Sequence, residues 1–185
     1  MPNSKKIAEI PKVNESSEVF HNSIINIRCD LLQRGSQPSY PYYVLKLRPF
    51  AVIILAFTTD NKILTIQEYR HPTEKFLLSF PAGYVEIDED PLDAARRELL
   101  EETGYQAESF EIIGEAYPYA GISNQQNIYV RAKQAKYFQP PQLEKSEIIE
   151  AKLLAKEELL AQVQQGVDLD ANVLTALYFS ELKNT

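Results

Sequence analysis

Residues 83–105 read GYVEIDEDPLDAARRELLEETGY, and the reading of the chain turns on them. Asp90 suits a helix N-cap, Pro91 the first helical position and Gly104 the residue after the last turn, so the spacing predicts a helix between them. Leu92, Ala95 and Leu99 make its apolar stripe. Glu98, Glu101 and Glu102 fill an arc of about 100° beside that stripe. Carboxylates three and four residues apart repel one another. They also crowd the C-terminal turns, where the helix dipole favours cations. A bound divalent cation would turn that repulsion into a binding site. Hard cations such as Mg²⁺ take oxygen ligands, often one or two carboxylates completed by phosphate oxygens and water. The loop at Gly83 could add a backbone carbonyl, for which Ala82 is the candidate. Taken alone, the glutamates would be read as a solvated helix face.

Around this helix the pattern is that of a mixed sheet. Ala51–Phe57 (AVIILAF) is a continuous apolar run of strand length, as expected of a strand buried on both faces. Thr59-Asp60-Asn61-Lys62 is turn chemistry, and Ile63–Tyr69 alternates as its hairpin partner. Phe76–Phe80, Phe110–Tyr117, Asn127–Lys133 and Ile148–Leu153 read as further strands. Upstream, Val19–Arg28 and Tyr42–Leu47 do the same. Helices are expected near Lys156–Gln165 and Asp170–Leu182. Helices interspersed with strands imply an α/β fold, a mixed central sheet sandwiched between helices. The expected organisation is a flexible polar arm at 1–18, N-terminal strands at 19–48 and a principal domain at 49–185.

Composition narrows the function. A chain of 185 residues with 44% hydrophobic content can build one substantial core. No apolar run is long enough for a membrane span. The net charge is −7, with Lys and Arg scattered, which argues against a nucleic-acid surface. The single cysteine, Cys29, excludes an internal disulfide and fits a reducing cytoplasm, where it would be a small core residue.

With its upstream loop included, the stretch resembles the Nudix box, G-x5-E-x7-R-E-U-x-E-E-x-G-U with U apolar. It matches at Gly83, Glu89, Arg97, Glu98, Leu99, Glu101, Glu102 and Gly104, with Tyr105 in the last apolar slot in place of the commoner aliphatic residue. Seven fixed letters give a chance match on the order of one in 10⁸ per start position. The resemblance implies a Nudix-type α/β/α sandwich with an N-terminal strand extension. It also implies hydrolysis of a nucleoside diphosphate linked to another group, with Mg²⁺ or Mn²⁺. By that resemblance Glu98 and Glu102 are metal ligands, Glu101 is a further ligand or water contact, and Arg97 pairs with Glu89 to hold loop and helix together.

IQEYRHP, FPAG, YPYAGISNQ and SEIIEA extend the similarity to the ADP-ribose and nucleotide-sugar pyrophosphatases. There the arginine matching Arg70 reaches the substrate diphosphate, a role suited to a guanidinium fork. The general base of this branch often lies in a late loop, where Glu147 matches and Glu144 is its nearest competitor. Gly121 and Ser123 would shape a loop near the diphosphate or sugar, or simply form a turn. Relatives sandwich adenine between tryptophans, whereas this chain has none, so Tyr42 or Tyr43 is the candidate stacking face. Ser79 stands where many members carry Glu. The resemblance further implies a homodimer built through the N-terminal strands. Two rival readings are a non-catalytic nucleotide-sensing Nudix domain and a house-cleaning nucleoside triphosphate pyrophosphatase.

Overall fold

A computed structural model describes residues 9–22 and 25–183. The chain divides into two compact units, one running up to Pro49 and including Tyr119–Gln125, the other formed by Phe50–Pro118 and Gln126 onward.

The first unit is an antiparallel meander of β1 (Lys12–His21), β2 (Asn26–Gln33) and β3 (Tyr40–Lys46). Two of these elements differ from the sequence reading. The chain is already a strand from Lys12, inside the stretch read as a flexible arm; residues 1–8 of that arm lie outside the described residues. Val19–Arg28, read as one strand, instead spans the end of β1 and the start of β2. Every residue of β1 is exposed, so KVNESSEVFH carries no buried face and no alternation to announce it. Cys29 is half-buried in β2 rather than a core residue. Tyr119–Gln125, read as part of the principal domain, groups with these strands: Leu45 N donates to Ile122 O at 2.8 Å and Gln125 Nε2 to Arg48 O at 3.3 Å.

The second unit is a three-layer sandwich. Its eight-stranded sheet contains β4 (Phe50–Thr58), β5 (Ile63–Arg70), β6 (Lys75–Ser79), β7 (Ala82–Tyr84), β8 (Tyr105–Gln106), β9 (Ser109–Ala116), β10 (Gln126–Tyr137) and β11 (Ile149–Leu154). β4 and β10 run parallel at its centre, and the remaining pairs are antiparallel. Alternation along β4 builds two cores. Val52, Ile54 and Ala56 pack with Ala94, Ala95 and Leu99 of helix α1 (Pro91–Thr103). Ile53 and Leu55 pack with Leu159 of α2 (Lys156–Gln164) and with Val173 and Ala176 of α3 (Ala171–Leu182). The uninterrupted apolar run is thus a strand covered by helices on both faces.

β4 and β5 pair directly only beside their turn, at Ala56 with Leu64 and Phe57 with Ile63. Farther along, β7 pairs with β4 and β6 with β5. The intended hairpin therefore splays, and the short strand Ala82–Tyr84 lies against β4 and beside the last turns of α1.

Candidate active site

Helix α1 begins and ends as its sequence dictates. The Asp90 side chain accepts from Leu92 N at 2.8 Å, and Gly104 adopts φ 74°, its N–H closing on Leu100 O at 2.8 Å. A Cβ at Gly104 would meet the backbone oxygen of Gln139, so only glycine fits there.

Arg97 ties the loop to the helix. Its Nε and Nη2 reach the two carboxylate oxygens of Glu89, both at 2.9 Å, and Nη2 also donates to Tyr84 O at 3.0 Å. Nη1 meets Glu98 at 2.6 Å and Glu101 at 3.3 Å. Its hydrogen bond to Glu89 is the main reason the Glu89 carboxyl lies below its usual range, and the same contact raises Arg97. Glu89 additionally accepts from Glu86 N at 2.9 Å, fixing the turn before the helix.

The acidic face lies behind this clamp. Glu102 is only 5% exposed, and its Oε2 accepts from Ala82 N at 3.0 Å. Burial pushes its carboxyl well above the ordinary value, opposed by the Ala82 hydrogen bond and reinforced by the charges of Glu68, Glu98 and Glu147. Burial also raises Glu98, against the pull of Arg97, with Glu101 and Glu147 adding to the rise. Gly83 lies so close that a Cβ there would stand 2.0 Å from the Glu98 carboxylate.

Two strand residues complete the group. Glu68, in β5, is 6% exposed; burial raises its carboxyl, Arg70 opposes this, and Glu147 and Asp170 add to it. Arg70 Nη2 lies 2.7 Å from Glu68 Oε2 while much of its side chain faces solvent. Glu147 sits half-buried in the loop before β11, its Oε2 accepting from Glu144 N at 2.8 Å. Its charge acts on Glu68, Glu98 and Glu102 alike.

Sequence reasoning missed Glu68. Its signal was parity: Glu68 falls in step with Leu64, which packs in the α1 core, so a period of two carries it to the layer holding the acidic helix. The other expected binding residues belong to the first unit. Tyr42 and Tyr43 are exposed on β3, and Tyr42 Oη donates to Gly121 O at 2.7 Å. Ser123 is buried; its N–H donates to Tyr119 O at 2.8 Å and its Oγ accepts from Gln125 N at 3.2 Å, which is turn chemistry.

The donor set fits a hard divalent cation. It consists of oxygens, and buried Glu102 meets several acidic neighbours while accepting from Ala82 N. Among the described residues no group of three or more His, Cys, Asp or Glu side chains is already placed to hold a metal ion.

A sandwich of this topology with a clamped acidic helix defines a Nudix domain, and the chain belongs to the Nudix family: the NUDIX domain model matches residues 47–177. Among its relatives, the methanol dehydrogenase activator of Bacillus methanolicus is 27% identical over 93% of both chains. The ADP-ribose pyrophosphatase of Bacillus subtilis (strain 168) is 26% identical over 93% of both. A solved structure of an ADP compounds hydrolase superposes with a TM-score of 0.84 over 96% of this chain and 95% of that one, at 19% identity, which establishes the common fold. Hydrolases of this family generally use divalent metals. Among the described residues no helix is long and apolar enough to cross a membrane.

Proposed function

We propose that this Nudix hydrolase cleaves the diphosphate of ADP-ribose or a related nucleoside diphosphate sugar, giving a nucleoside monophosphate and a sugar phosphate. The observation that carries the reading is the gathering of Glu68, Glu98, Glu102 and Glu147, with burial raising the first three. Carboxylates so placed oppose one another unless a positively charged ligand joins them.

Glu98, Glu102 and the Ala82 carbonyl would hold Mg²⁺ or Mn²⁺, with Glu101 as an outer ligand or water contact. When bound, such cations polarise phosphoryl oxygens and supply positive charge to the diphosphate. Glu147 takes the proton of the attacking water; its half-buried position in the acidic group supports it over Glu144, which is exposed. Arg70, steadied by Glu68, holds the diphosphate and balances the charge that develops. Glu89, Arg97, Gly83 and Gly104 keep loop and helix in register. Tyr42 or Tyr43 offers a stacking face for the base, and Gly121 and Ser123 shape the neighbouring turn. Residues 49–185 act as the hydrolase domain, in a cytoplasmic protein.

The N-terminal strands serve a homodimer in this reading, supported by Val13, Val19 and Phe20, each about half exposed or more on β1. Sedimentation as a monomer at micromolar concentration would reject the dimer.

The deciding experiment is phosphate release, coupled to a phosphatase, from ADP-ribose, UDP-glucose and GDP-mannose with and without Mg²⁺. Turnover of a nucleotide sugar only with metal is expected, and Glu147→Gln should lower kcat by about 10²–10⁴-fold. Binding without turnover would overturn the assignment, and near-normal kcat in the variant would remove Glu147 from its role.

A further inference from the structure

A cavity of about 190 Å³ opens beside the β4–β5 turn, between the far part of β10 and α3. It lies at the other end of β5 from the acidic group, because Ile63 beside the turn and Glu68 are separated by about 17 Å of extended strand. Thr58, Asn61, Arg131, Lys133, Gln134 and Ser180 line it. Among its described lining residues two are cationic and none is acidic.

Three features set this cavity apart from an ordinary surface recess. Arg131 is 7% exposed, a long cation drawn almost wholly inside the fold. Lys133 and Gln134 form a bulge: β10 moves from Ala132 opposite Ala56 to Ala135 opposite Thr58, one residue more than β4 uses, and Gln134 takes φ 59°. That conformation is uncommon for a residue with a side chain, and bulges re-aim the side chains they carry. Finally, one acid faces three cations. Glu111 accepts from Arg131 Nη2 at 2.8 Å and lies 3.7 Å from Lys183 Nζ. The Arg131 hydrogen bond is the chief reason the Glu111 carboxyl lies low, with the charges of Arg131, Lys183 and Lys133 contributing against burial. A second acid, Asp60, stands beside the cavity with its Oδ1 accepting from the lining Thr58 Oγ1, in a chain of net charge −7.

We propose that this cavity is a second anion site, separate from the acidic group, whose ligand is a phosphate: inorganic phosphate or the phosphoryl end of a phosphomonoester. A planar carboxylate is the natural partner of a guanidinium fork, and Glu111 already occupies that of Arg131. The donors left for a ligand are the Lys133 ammonium, the Asn61 and Gln134 carboxamides and the Ser180 hydroxyl, supplied by a turn, a bulged strand and a helix, since Thr58 Oγ1 already donates to Asp60 Oδ1. Donors from several directions suit a tetrahedral oxyanion with many acceptor sites. A neighbouring cleft of about 460 Å³ shares Phe57 and Asn61 as walls, is also lined by Lys62, Lys156, Asp60 and Glu157, and gives room for the polar organic part of an ester.

The test is calorimetric titration of inorganic phosphate into EDTA-treated full-length protein at constant ionic strength. Saturable binding in the millimolar range is expected, with at least about tenfold weaker binding in Lys133→Ala. Lys133 is exposed, so that variant should fold as the wild type does. The double variant Glu98→Gln/Glu102→Gln should bind phosphate as the wild type does, which separates this site from the acidic group. Ser180→Ala, removing a buried hydroxyl at the cavity, should also weaken binding. AMP and glucose 1-phosphate distinguish the two sources: tighter binding than inorganic phosphate assigns the site to an ester, and equal binding assigns it to the phosphate alone. Absence of saturation at about 20 mM, wild-type affinity in Lys133→Ala, loss of binding in the double variant, or equal binding of acetate would each overturn the proposal.

Discussion

Replacing Gly83 with alanine separates the needs of the fold from those of the chemistry. The new Cβ would stand 2.0 Å from both Cδ and Oε1 of Glu98 and 2.5 Å from Oε2. Ordinary contact requires about 3.5 Å, so the carboxylate must retreat by more than about 1 Å. It can do so, being the free end of a flexible side chain, but the retreat disturbs its 2.6 Å contact with Arg97. An off-rotamer torsion costs about 0.5–1.5 kcal/mol, offset by about 0.4–1 kcal/mol from the less flexible unfolded chain. The backbone raises no further objection, since Gly83 is a strand residue paired with Val52 and has no left-handed φ.

The net change in stability should therefore stay within about 1 kcal/mol, or a shift in Tm of at most about 4 °C. Activity should suffer far more. Displacing a proposed metal-binding carboxylate by about 1 Å should lower kcat about 10²-fold with a nucleotide sugar and Mg²⁺. Thermal unfolding and steady-state kinetics on the same preparation measure both quantities. A well-folded Gly83→Ala enzyme with kcat within about threefold of wild type would refute the placement of Glu98 at the reacting centre.

Other perturbations test the scaffold and its charges. Arg97→Met removes contacts to three carboxylates and a carbonyl; with the guanidinium partly exposed, solvent screening limits the cost to about 2 kcal/mol, a fall in Tm of about 4–8 °C, and an unchanged Tm would remove Arg97 as the clamp. Glu102 holds its proton more tightly folded than unfolded, so its contribution to stability is greatest at low pH and is lost as pH rises from the unfolded value near 4.3 through the folded one. In EDTA, Glu102→Gln should therefore unfold at a higher temperature than wild type at pH 8, with the gap closing toward pH 4; a gap that widens on acidification would contradict the burial argument. Gly104→Ala must give up a left-handed φ of 74° and meets a backbone oxygen, so a loss of at least about 2 kcal/mol is expected in urea unfolding, and a wild-type midpoint would refute it.

Legibility in the sequence followed burial. α1 could be read to the residue because each of its signals is local: a capping aspartate, a proline, a stripe and a left-handed glycine. The pairing of Arg97 with Glu89 came from the motif, since seven intervening residues hide it from any simple period. β4 declared itself by being apolar on both faces, which the two helical layers explain. β1 did not, because a strand exposed along its whole length has no hydrophobic pattern to display. The brief strand at Ala82–Tyr84 looked like a loop because three residues with a central glycine carry no propensity; its order comes from β4 alongside it. The bulge in β10 was equally silent, since lysine and glutamine at 133 and 134 announce neither a left-handed turn nor a change of register.

The same alternation that separates the two cores also explains how one sheet supports an acidic group without losing its interior. Along β4, alternate residues Val52, Ile54 and Ala56 hold α1 down, and along β5 Leu64 joins them. Continuing in step, β5 reaches Glu68 and then Arg70, where direct pairing with β4 has already ended and β6 has taken over. Apolar contact with α1 thus gives way to carboxylates along a single strand face. Ala94, Ala95 and Leu99, all buried, secure the helix, and Glu102 follows on the next turn. The stabilising and the repulsive residues are therefore neighbours on the same rigid elements. A scaffold held by the first can keep the second at fixed separation, whereas a loop would relax and disperse them. The cation proposed for this site would turn that pre-organised repulsion into binding, and so would account for a helix end that local propensity alone disfavours.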